Sequence, residues 1–472
     1  MTQLPPTLPD PGLIFDEVFA RGESTREHPN EVSSTLFYLA SIIIHGKLYS
    51  GVIAHALAEY GPDIFRTDDL DWNVQTNSSY LDLNPLYGNS DDTQKAVRTM
   101  HDGLLKPDAF SEIRLLGFPP GVAALLCAFN RFHNYVARQL AEINEGERFT
   151  LVNGHQWTHT LRKQYGTPEA KRDNDLFNTA RMVTCGLYIN IILNDYVRTI
   201  LNLNTSPSEW ILDPRADPAR MTGPSQTQEG TGNQVSVEFN LIYRWHSAIS
   251  AKDEQWSKNF FEPYFKKTGK TQEDFTLKDF QTAFRDFQSD IPSDPGDRVF
   301  GGLKRQDGGA FKDEDLVKLL TEATEDCAGR CFEASVLLNQ LADTGIGAFG
   351  ARNVPTIMKA VEMLGMQQAR KWNVATLNEF RAFFGMAPHK TFDDISSQPQ
   401  VAASLKTLYG SPDLVELYPG LVAEDAKPSM EPGAGLCPGF TISKAILSDA
   451  TTLVRGDRFY TVVSLCLVFS VL

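Results

Sequence analysis

The chain has 472 residues, of which 42% are hydrophobic and 22% charged, and its formal net charge is −15. This composition predicts a soluble globular protein with a large core. The negative charge argues against nucleic acid or an anionic membrane as a partner, because phosphates would be repelled. The polar, proline-rich start predicts no signal peptide, and the apolar end is too short to span a bilayer. We therefore expect a cytoplasmic protein or one peripheral to lipid surfaces.

Helical periodicity dominates the chain, whereas alternating strand patterns are scarce, so we predict a mainly α fold. No shift in composition divides the sequence, and a single domain is expected over residues 1–462. Long loops rich in Pro, Gly and Asp are predicted at 202–234 and 289–312, where function is commonly located. Apolar residues recur at three- and four-residue spacing in four segments, 32–45, 121–143, 175–201 and 236–250.

The first of these predicted helices ends at His45 and is apolar almost all round, which indicates that the histidine is buried. A histidine at a helix C-terminus is also favoured simply by the helix dipole. A Gly-rich segment, 46–62, follows and contains a second histidine, His55. Nothing around His55 supports a chemical role.

The stretch NSSYLDLNPLYG places oxygen donors at alternate positions, Ser78, Tyr80, Asp82 and Asn84. Hydroxyl, carbonyl, carboxylate and amide oxygens are the ligands that calcium prefers. An ordinary turn before Pro85 explains the same residues. The spacing alone leaves both interpretations open.

The stretch VEFNLIYRWHSAIS places Tyr243 and His246 three residues apart, and on a helix they would share a face. Phe239 and Ile242 lie close to that face. A single histidine in apolar surroundings is usually a hydrogen-bonded core residue. However, a neutral imidazole in an apolar wall is also what haem ligation requires, and a phenol one turn away would lie at the edge of that cofactor.

EFNLIYRWH resembles the cyclooxygenase pattern, and it is more similar still to the fungal fatty-acid dioxygenases, the haem dioxygenase half of linoleate diol synthases. These enzymes belong to the animal haem peroxidase–cyclooxygenase superfamily. The resemblance covers most of the chain. It includes the segments SSYLDLNPLYG, FHN around His133, TLNEFRAFFGM, LYGSPDLVELYPGL and AILSDATTLVRGDRFYT.

The resemblance implies the helical haem-peroxidase fold and a role for each matching residue. His246 would be the proximal ligand of the haem iron, Tyr243 the radical that abstracts hydrogen, and His45 the distal histidine. Asn378, in TLNEFRAFFGM, would accept a hydrogen bond from the ligating histidine. Alternatively, Asn378 only caps the helix that follows it. His133 matches a structural motif of the family and is interpreted as a packing residue.

The implied activity is oxygenation of an unsaturated C18 fatty acid, linoleate or oleate, to a hydroperoxide. It would use haem b, molecular oxygen and a hydroperoxide activator, and the protein could be a homo-oligomer. A hydrocarbon C–H has no acidity for a base to use, so radical chemistry supplied by a cofactor is required. The alternative is a haem peroxidase acting on small reductants. Ser41 argues against it, because strong peroxidases carry a glutamine at that place.

Two segments depart from the family pattern. Without residues 46–62, His45 would directly precede Asp63, the aspartate that completes the calcium site in the family. We interpret 46–62 as a non-family insert, either a translated intron or a genuine lid beside the distal pocket. If it disrupts that pocket, the protein is inert. Residues 463–472 form a non-family apolar tail, truncated before any haem-thiolate domain, so no isomerase step is expected.

Overall fold

The protein is built from helices, as the hydrophobic periodicity predicts. A computed structural model describes residues 8–21, 32–47, 78–152, 154–201, 230–232, 236–326, 328, 351–426 and 438–458. Within these ranges the only β pairings are three isolated bridges. The α-helices are Pro11–Ile14, Thr35–Lys47, Asn84–Tyr87, Asp91–Val97, Pro120–Ile143, His159–Tyr165, Pro168–Ile191, Val197–Leu201, Phe239–Ile242, Ala251–Thr268, Leu277–Ser289, Asp313–Glu325, Lys359–Lys371, Leu377–Phe383, Phe392–Ile395, Pro399–Tyr409, Leu417–Ala423 and Phe440–Gly456.

One large hydrophobic cluster joins these helices, from Ile14 near the start to Leu453 near the end of the described chain. The two longest helices, Pro120–Ile143 and Pro168–Ile191, pack along each other beside it. The mainly α fold is therefore confirmed. The domain boundaries at 1–462 stay a prediction.

The predicted helices at 121–143 and 175–201 are confirmed with changed limits. The second begins earlier, at Pro168, because Thr167 caps its N-terminus through the backbone N–H of Ala170. A π-helical turn, Ile192–Tyr196, interrupts its end. The stretch Pro168–Leu201 is long and apolar enough to cross a membrane by length and composition alone, and 44% of its most apolar window is buried in the protein.

The predicted continuous helix at 236–250 is wrong. The structure has a short helix, Phe239–Ile242, and a 3-10 turn, His246–Ala248. Between them Tyr243 and Trp245 leave helical geometry, with φ near −100° and ψ of 28° and 34°. Aromatic and β-branched residues have modest helix propensity, so the tertiary contacts of this segment decide its path.

The helix that carries His45 runs from Thr35 to Lys47, two residues beyond the histidine. The rest of the predicted insert, His55 and Asp63 lie outside the described residues. The helix Lys359–Lys371 is positioned by the N-terminal segment, because Val354 N–H donates to the Phe19 carbonyl at 2.9 Å and Arg21 N–H to the Val354 carbonyl at 2.8 Å. These bonds dock the chain just before that helix begins.

Candidate active site

A pocket open to solvent, with about 1030 Å³ of empty space when its open mouth is included, lies between the His45 helix, the segment around His246 and the helix Lys359–Lys371. Its walls are largely aromatic and aliphatic, and three of the predicted site residues line it, His45, Tyr243 and His246. The structure thus brings together side chains that are about 200 positions apart. The apolar wall includes Phe37, Ile44, Phe118, Ile249, Trp256, Phe261, Phe280, Phe284, Ile357 and Val361.

His45 is buried and held in one orientation by its own helix. Its Nδ1 lies 2.6 Å from the Ser41 carbonyl oxygen, which can only accept, so Nδ1 carries the proton and donates. The neutral ring then keeps its lone pair on Nε2. The ring also packs edge-on against Phe118, with centroids 4.8 Å apart. A fixed imidazole with a basic Nε2 at a cavity wall is suited to accept a proton.

The pKa of His45 is lowered to about 3, first because burial disfavours the charged imidazolium and second because the nearby Arg114 guanidinium repels it. Arg114 is itself bound to Glu112, with Nε 2.7 Å from Oε1. His45 is therefore neutral at physiological pH, and a proton taken up at Nε2 would be released again readily.

Tyr243 is 4% exposed and enclosed by aromatic rings. Its ring stacks on Phe239 at 4.3 Å between centroids and meets Trp245 edge-on at 6.0 Å. Trp245 is in turn fixed by donating from Nε1 to the Tyr196 hydroxyl at 3.1 Å. Burial first, and the charges of Asp449 and Tyr196 second, raise the pKa of Tyr243 well above its ordinary value. The phenol therefore keeps its hydrogen.

His246 is anchored by a carboxylate. Its Nδ1 lies 2.5 Å from Oε1 of Glu362, so Nδ1 donates and Nε2 keeps the lone pair. Tyr418 donates its hydroxyl to Oε2 of the same carboxylate. Burial alone would raise the pKa of Glu362, but His246, Arg244 and Tyr418 outweigh it and hold that pKa below the usual value. Glu362 is therefore an ionised acceptor in a fully buried position.

Asn378 does not contact His246, and both interpretations of it are wrong. Its side-chain amide donates to the His389 carbonyl at 3.0 Å and to Asp413 at 2.7 Å, and its oxygen accepts from His389 N–H at 2.8 Å. The helix is capped instead by Thr376, which accepts from Glu379 N–H. Asn378 thus links the segments around His389 and Asp413. It does not reach His246, because its helix packs away from the cavity wall.

Glu362, Tyr418 and Arg244 are the residues that the sequence interpretation missed. The sequence offered one signal for Glu362. It is the single carboxylate of the helix Lys359–Lys371, stands between the apolar residues Val361 and Met363, and is buried with most of that helix. The Arg244 guanidinium lies 5.5 Å over the Tyr418 ring and donates from Nη1 to the Val361 carbonyl at 3.4 Å.

Of the candidate calcium residues that the structure describes, Ser78, Tyr80 and Asp82 precede the helix Asn84–Tyr87, and Asn84 begins it. Oδ1 of Asp82 is buried and, within the described ranges, has no hydrogen-bond partner, while Oδ2 is 3.7 Å from Arg181. Burial raises the pKa of Asp82, against the opposing charge of Arg181. Ser78 accepts from Tyr80 N–H at 3.1 Å, as in a turn. Among the residues that the structure describes, no three His, Cys, Asp or Glu side chains form a metal cluster.

His133 is a structural histidine, as predicted. It is fully buried, its Nε2 donates to the Gly103 carbonyl at 2.9 Å, and its Nδ1 accepts from the Tyr87 hydroxyl at 2.9 Å. Burial lowers its pKa to about 4. Both ring nitrogens are satisfied, so it has no capacity left for a ligand.

Two histidines line one apolar pocket, and one of them is anchored through Nδ1 by a carboxylate, an arrangement typical of helical haem proteins. The Animal haem peroxidase family model matches residues 116–326 and 352–469. The chain belongs to this family, and membership implies that it binds haem.

The chain is similar to several fungal oxygenases. It is 52% identical over 461 residues to Psi-producing oxygenase A of Emericella nidulans, covering 98% of this chain and 38% of that protein. It is 50% identical to Linoleate 10R-lipoxygenase of Aspergillus fumigatus and 49% identical to 7,8-linoleate diol synthase of Pyricularia oryzae, over 97% of this chain in each case. The chain spans 37% and 35% of the length of those two relatives.

Solved structures support the fold. The fatty acid alpha-dioxygenase of Oryza sativa aligns with a TM-score of 0.56 at 16% identity, covering 96% of this chain and 73% of that one. Peroxidase A from Dictyostelium discoideum aligns with a TM-score of 0.54 at 16% identity, covering 96% of this chain and 84% of that one. The predicted haem-peroxidase fold is thereby confirmed.

Proposed function

We propose that this chain is a haem-dependent dioxygenase that converts an unsaturated C18 fatty acid, such as linoleate, to a hydroperoxide through a radical on Tyr243. The observation that carries the proposal is the placement of Tyr243, His246 and His45 on the wall of one apolar cavity. The names of two relatives, a linoleate 10R-lipoxygenase and a 7,8-linoleate diol synthase, point to linoleate as the substrate class. The aromatic and aliphatic walls suit an acyl chain better than a small polar reductant.

The residues present fit a haem. His246 offers Nε2 as a nitrogen ligand, because Glu362 holds its Nδ1 proton, and a neutral imidazole oriented in this way is a strong iron ligand. Both histidines line the same largely apolar pocket, which suits an apolar macrocycle. His246 would hold the iron, and His45 would supply a second imidazole in the same pocket. When bound, haem supplies the one-electron oxidising equivalents that a hydroperoxide delivers.

Tyr243 performs the exchange of hydrogen atoms in this mechanism. Its radical takes a hydrogen atom from an activated C–H of the fatty acid, which restores the phenol and leaves a carbon radical. Molecular oxygen adds to that carbon, and the resulting peroxyl radical takes the hydrogen atom back from the phenol. The product is a hydroperoxide and the tyrosyl radical is regenerated. Burial keeps the phenol protonated, so the hydrogen is present for transfer.

His45 moves the proton that hydroperoxide cleavage requires. Nε2 accepts it from the attacking hydroperoxide and returns it to the departing alkoxide. Ser41 contributes its backbone carbonyl, which fixes the ring, whereas its hydroxyl donates to the Phe37 carbonyl at 2.8 Å. The serine hydroxyl therefore does not assist the proton transfer, and a rate below that of strong peroxidases is expected.

The experiment that tests the proposal uses the full chain loaded with haem. The Soret band reports haem binding, an oxygen electrode measures uptake with linoleate, and mass spectrometry identifies the product. The expected result is stoichiometric haem and a monohydroperoxide. Haem binding without uptake would favour the inert protein, and oxidation of small phenols without uptake would favour a peroxidase.

The reaction of the protein with a hydroperoxide should be nearly independent of pH. Because the pKa of His45 is about 3, its imidazole is neutral from pH 5.5 to 8, and the rate constant for reaction with a hydroperoxide should vary by less than about twofold over that range. His45→Gln should lower that rate constant by about 10²- to 10⁴-fold, the usual contribution of a positioned acid–base group. Stopped-flow recording of the Soret band measures both.

Ser41→Ala is the matched control, since it keeps the backbone carbonyl that orients His45 and removes a hydroxyl already bonded within the helix. Its rate constant should stay within about twofold of the parent. A titration of the parent rate with a midpoint near pH 6.5, the ordinary histidine value, would contradict the buried neutral imidazole.

We also propose that Asp82, with Ser78, Tyr80, Asn84 and Asp63, binds calcium. The buried Oδ1 of Asp82 supports this, because it has no hydrogen-bond partner among the residues that the structure describes and a cation would compensate its charge. Calcium at 100 times its dissociation constant would add about 2.7 kcal/mol to stability. The melting temperature should then rise by about 3 °C relative to protein in EGTA.

Asp82→Asn should abolish this calcium-dependent shift in melting temperature, whereas Asp92→Asn, at an exposed position, should retain it. Differential scanning fluorimetry with calcium, magnesium and EGTA makes the comparison. An equal shift in both variants would exclude the site, because binding would then occur elsewhere.

A further inference from the structure

Three buried residues, Glu362, Tyr418 and Arg244, lie close to His246. Glu362 is 0% exposed and uses both carboxylate oxygens, Oε1 to accept from His246 Nδ1 at 2.5 Å and Oε2 to accept from the Tyr418 hydroxyl. The two donors therefore compete for the negative charge of one carboxylate. Any change in one of these hydrogen bonds alters the electron density that reaches the imidazole.

Arg244 supplies the opposing charge. Its guanidinium is 7% exposed and lies next to the helix of Glu362 because Gly365 has no side chain there, and a Cβ at that position would be 2.6 Å from Nη1. Nη1 donates to the Val361 carbonyl, while Nε and Nη2 have no hydrogen-bond partner in the part of the chain that the structure describes. Arg244 thus acts on Glu362 through space, as a fixed positive charge.

We propose that Glu362, balanced by Tyr418 and Arg244, is the positioning group that sets the negative charge on His246 and hence the reduction potential of the iron bound there. This proposal rests on the proposed function in requiring that His246 binds haem. A carboxylate acceptor draws the Nδ1 proton toward itself, so the imidazole becomes a stronger electron donor and the ferric state is favoured.

Two substitutions should have effects of opposite sign. Glu362→Gln keeps the shape and an accepting oxygen but removes the negative charge, so the ferrous state gains stability and the potential rises. Tyr418→Phe removes the competing hydroxyl, so more of the carboxylate charge reaches His246 and the potential falls. A purely structural disturbance gives no reason for opposite directions.

The experiment is a spectroelectrochemical titration of the haem-loaded full chain. At a fixed applied potential, Glu362→Gln should lower the ratio of ferric to ferrous haem by about tenfold, a shift of about 59 mV for a one-electron couple. Tyr418→Phe should raise that ratio. Resonance Raman spectroscopy of the ferrous protein should show a lower iron–histidine stretching frequency in Glu362→Gln, because the imidazole is a weaker donor.

Glu416→Gln provides a matched control. Glu416 is 6% exposed and is held by Arg370, at 2.6 Å from Nε, and by the Tyr409 hydroxyl at 3.0 Å, so it is another buried carboxylate that accepts from a tyrosine, and it does not contact His246. This variant removes a buried negative charge elsewhere in the fold. Its ferric-to-ferrous ratio should match that of the parent.

The outcomes separate the two proposals. A parent protein that fails to bind haem would overturn the proposed function and this inference together. A parent that binds haem and oxygenates linoleate, with an unchanged ratio in Glu362→Gln, would overturn the inference alone. If Glu362→Gln does not fold, Tyr418→Phe decides, because a potential that rises or stays unchanged in that variant contradicts the charge competition.

Discussion

Replacing Tyr243 with Phe is expected to abolish fatty-acid oxygenation. The ring would still stack on Phe239 and fill the same space, so the fold and the haem site should persist. Without the O–H group the residue can neither give nor take a hydrogen atom. Oxygen uptake with linoleate should fall by at least about 10³-fold, equivalent to about 4 kcal/mol of activation free energy. An oxygen electrode measures the rate, normalised to haem by the Soret band.

Tyr188→Phe is the control for this substitution. Tyr188 is 2% exposed and meets Phe129 edge-on at 5.7 Å between centroids, so it is another buried phenol in an aromatic environment. Its loss should leave uptake within about twofold of the parent. If Tyr243→Phe kept more than a tenth of the uptake, the radical would have to reside elsewhere.

The second large effect is expected for His246→Ala, which should lose haem. Loss of an outer-shell partner typically lowers metal affinity by about 10- to 100-fold, so removal of the ligand itself should exceed about 100-fold. Glu362 would also lose its nitrogen partner and remain as a buried charge. A titration of the apoprotein with haem, followed at the Soret band, measures the affinity. Added imidazole should restore part of the spectrum by filling the space left.

His133→Ala serves as the comparison, because His133 is a buried histidine bonded to Tyr87 and the Gly103 carbonyl. Its removal leaves two buried polar groups without partners, which should lower the free energy of unfolding by about 2 kcal/mol. Urea denaturation measures this loss, and haem affinity should be retained. The opposite pattern, haem lost from the His133 variant and kept by the His246 variant, would reverse the assignment of the ligand.

The protein uses buried carboxylates in two ways. Around Glu416 the bidentate contact with Arg370 satisfies the charge, and the result is a structural link between a helix and the following segment. Glu362 accepts hydrogen bonds from Tyr418 and from His246, the candidate iron ligand, and no hydrogen bond joins its carboxylate to Arg244. Burying an ion costs several kcal/mol unless it is well paired. The incomplete pairing of Glu362 leaves its charge available to His246.

Local signals in the sequence predicted much of the fold. The periodicity of apolar residues is a property of each helix alone, so the helix at 121–143 and the mainly α class were predictable. The same signal failed at 236–250, where Trp245 donates a hydrogen bond to Tyr196 and Arg244 donates one to the Val361 carbonyl. Those partners are distant in the chain, and these contacts outweigh the weak helix propensity of an aromatic segment.

Tyr243, His246 and His45 stand in recognisable local patterns, so the sequence was sufficient to predict them as candidate site residues. The carboxylate that holds His246 could be identified only from the way the helices pack. Glu362 is 116 positions from His246, and Tyr418 a further 56 positions on. Asn378 matched a motif but lies on a helix that docks elsewhere. A hydrogen bond between distant residues depends on how helices pack, and packing is a property of the whole core rather than of any local pattern.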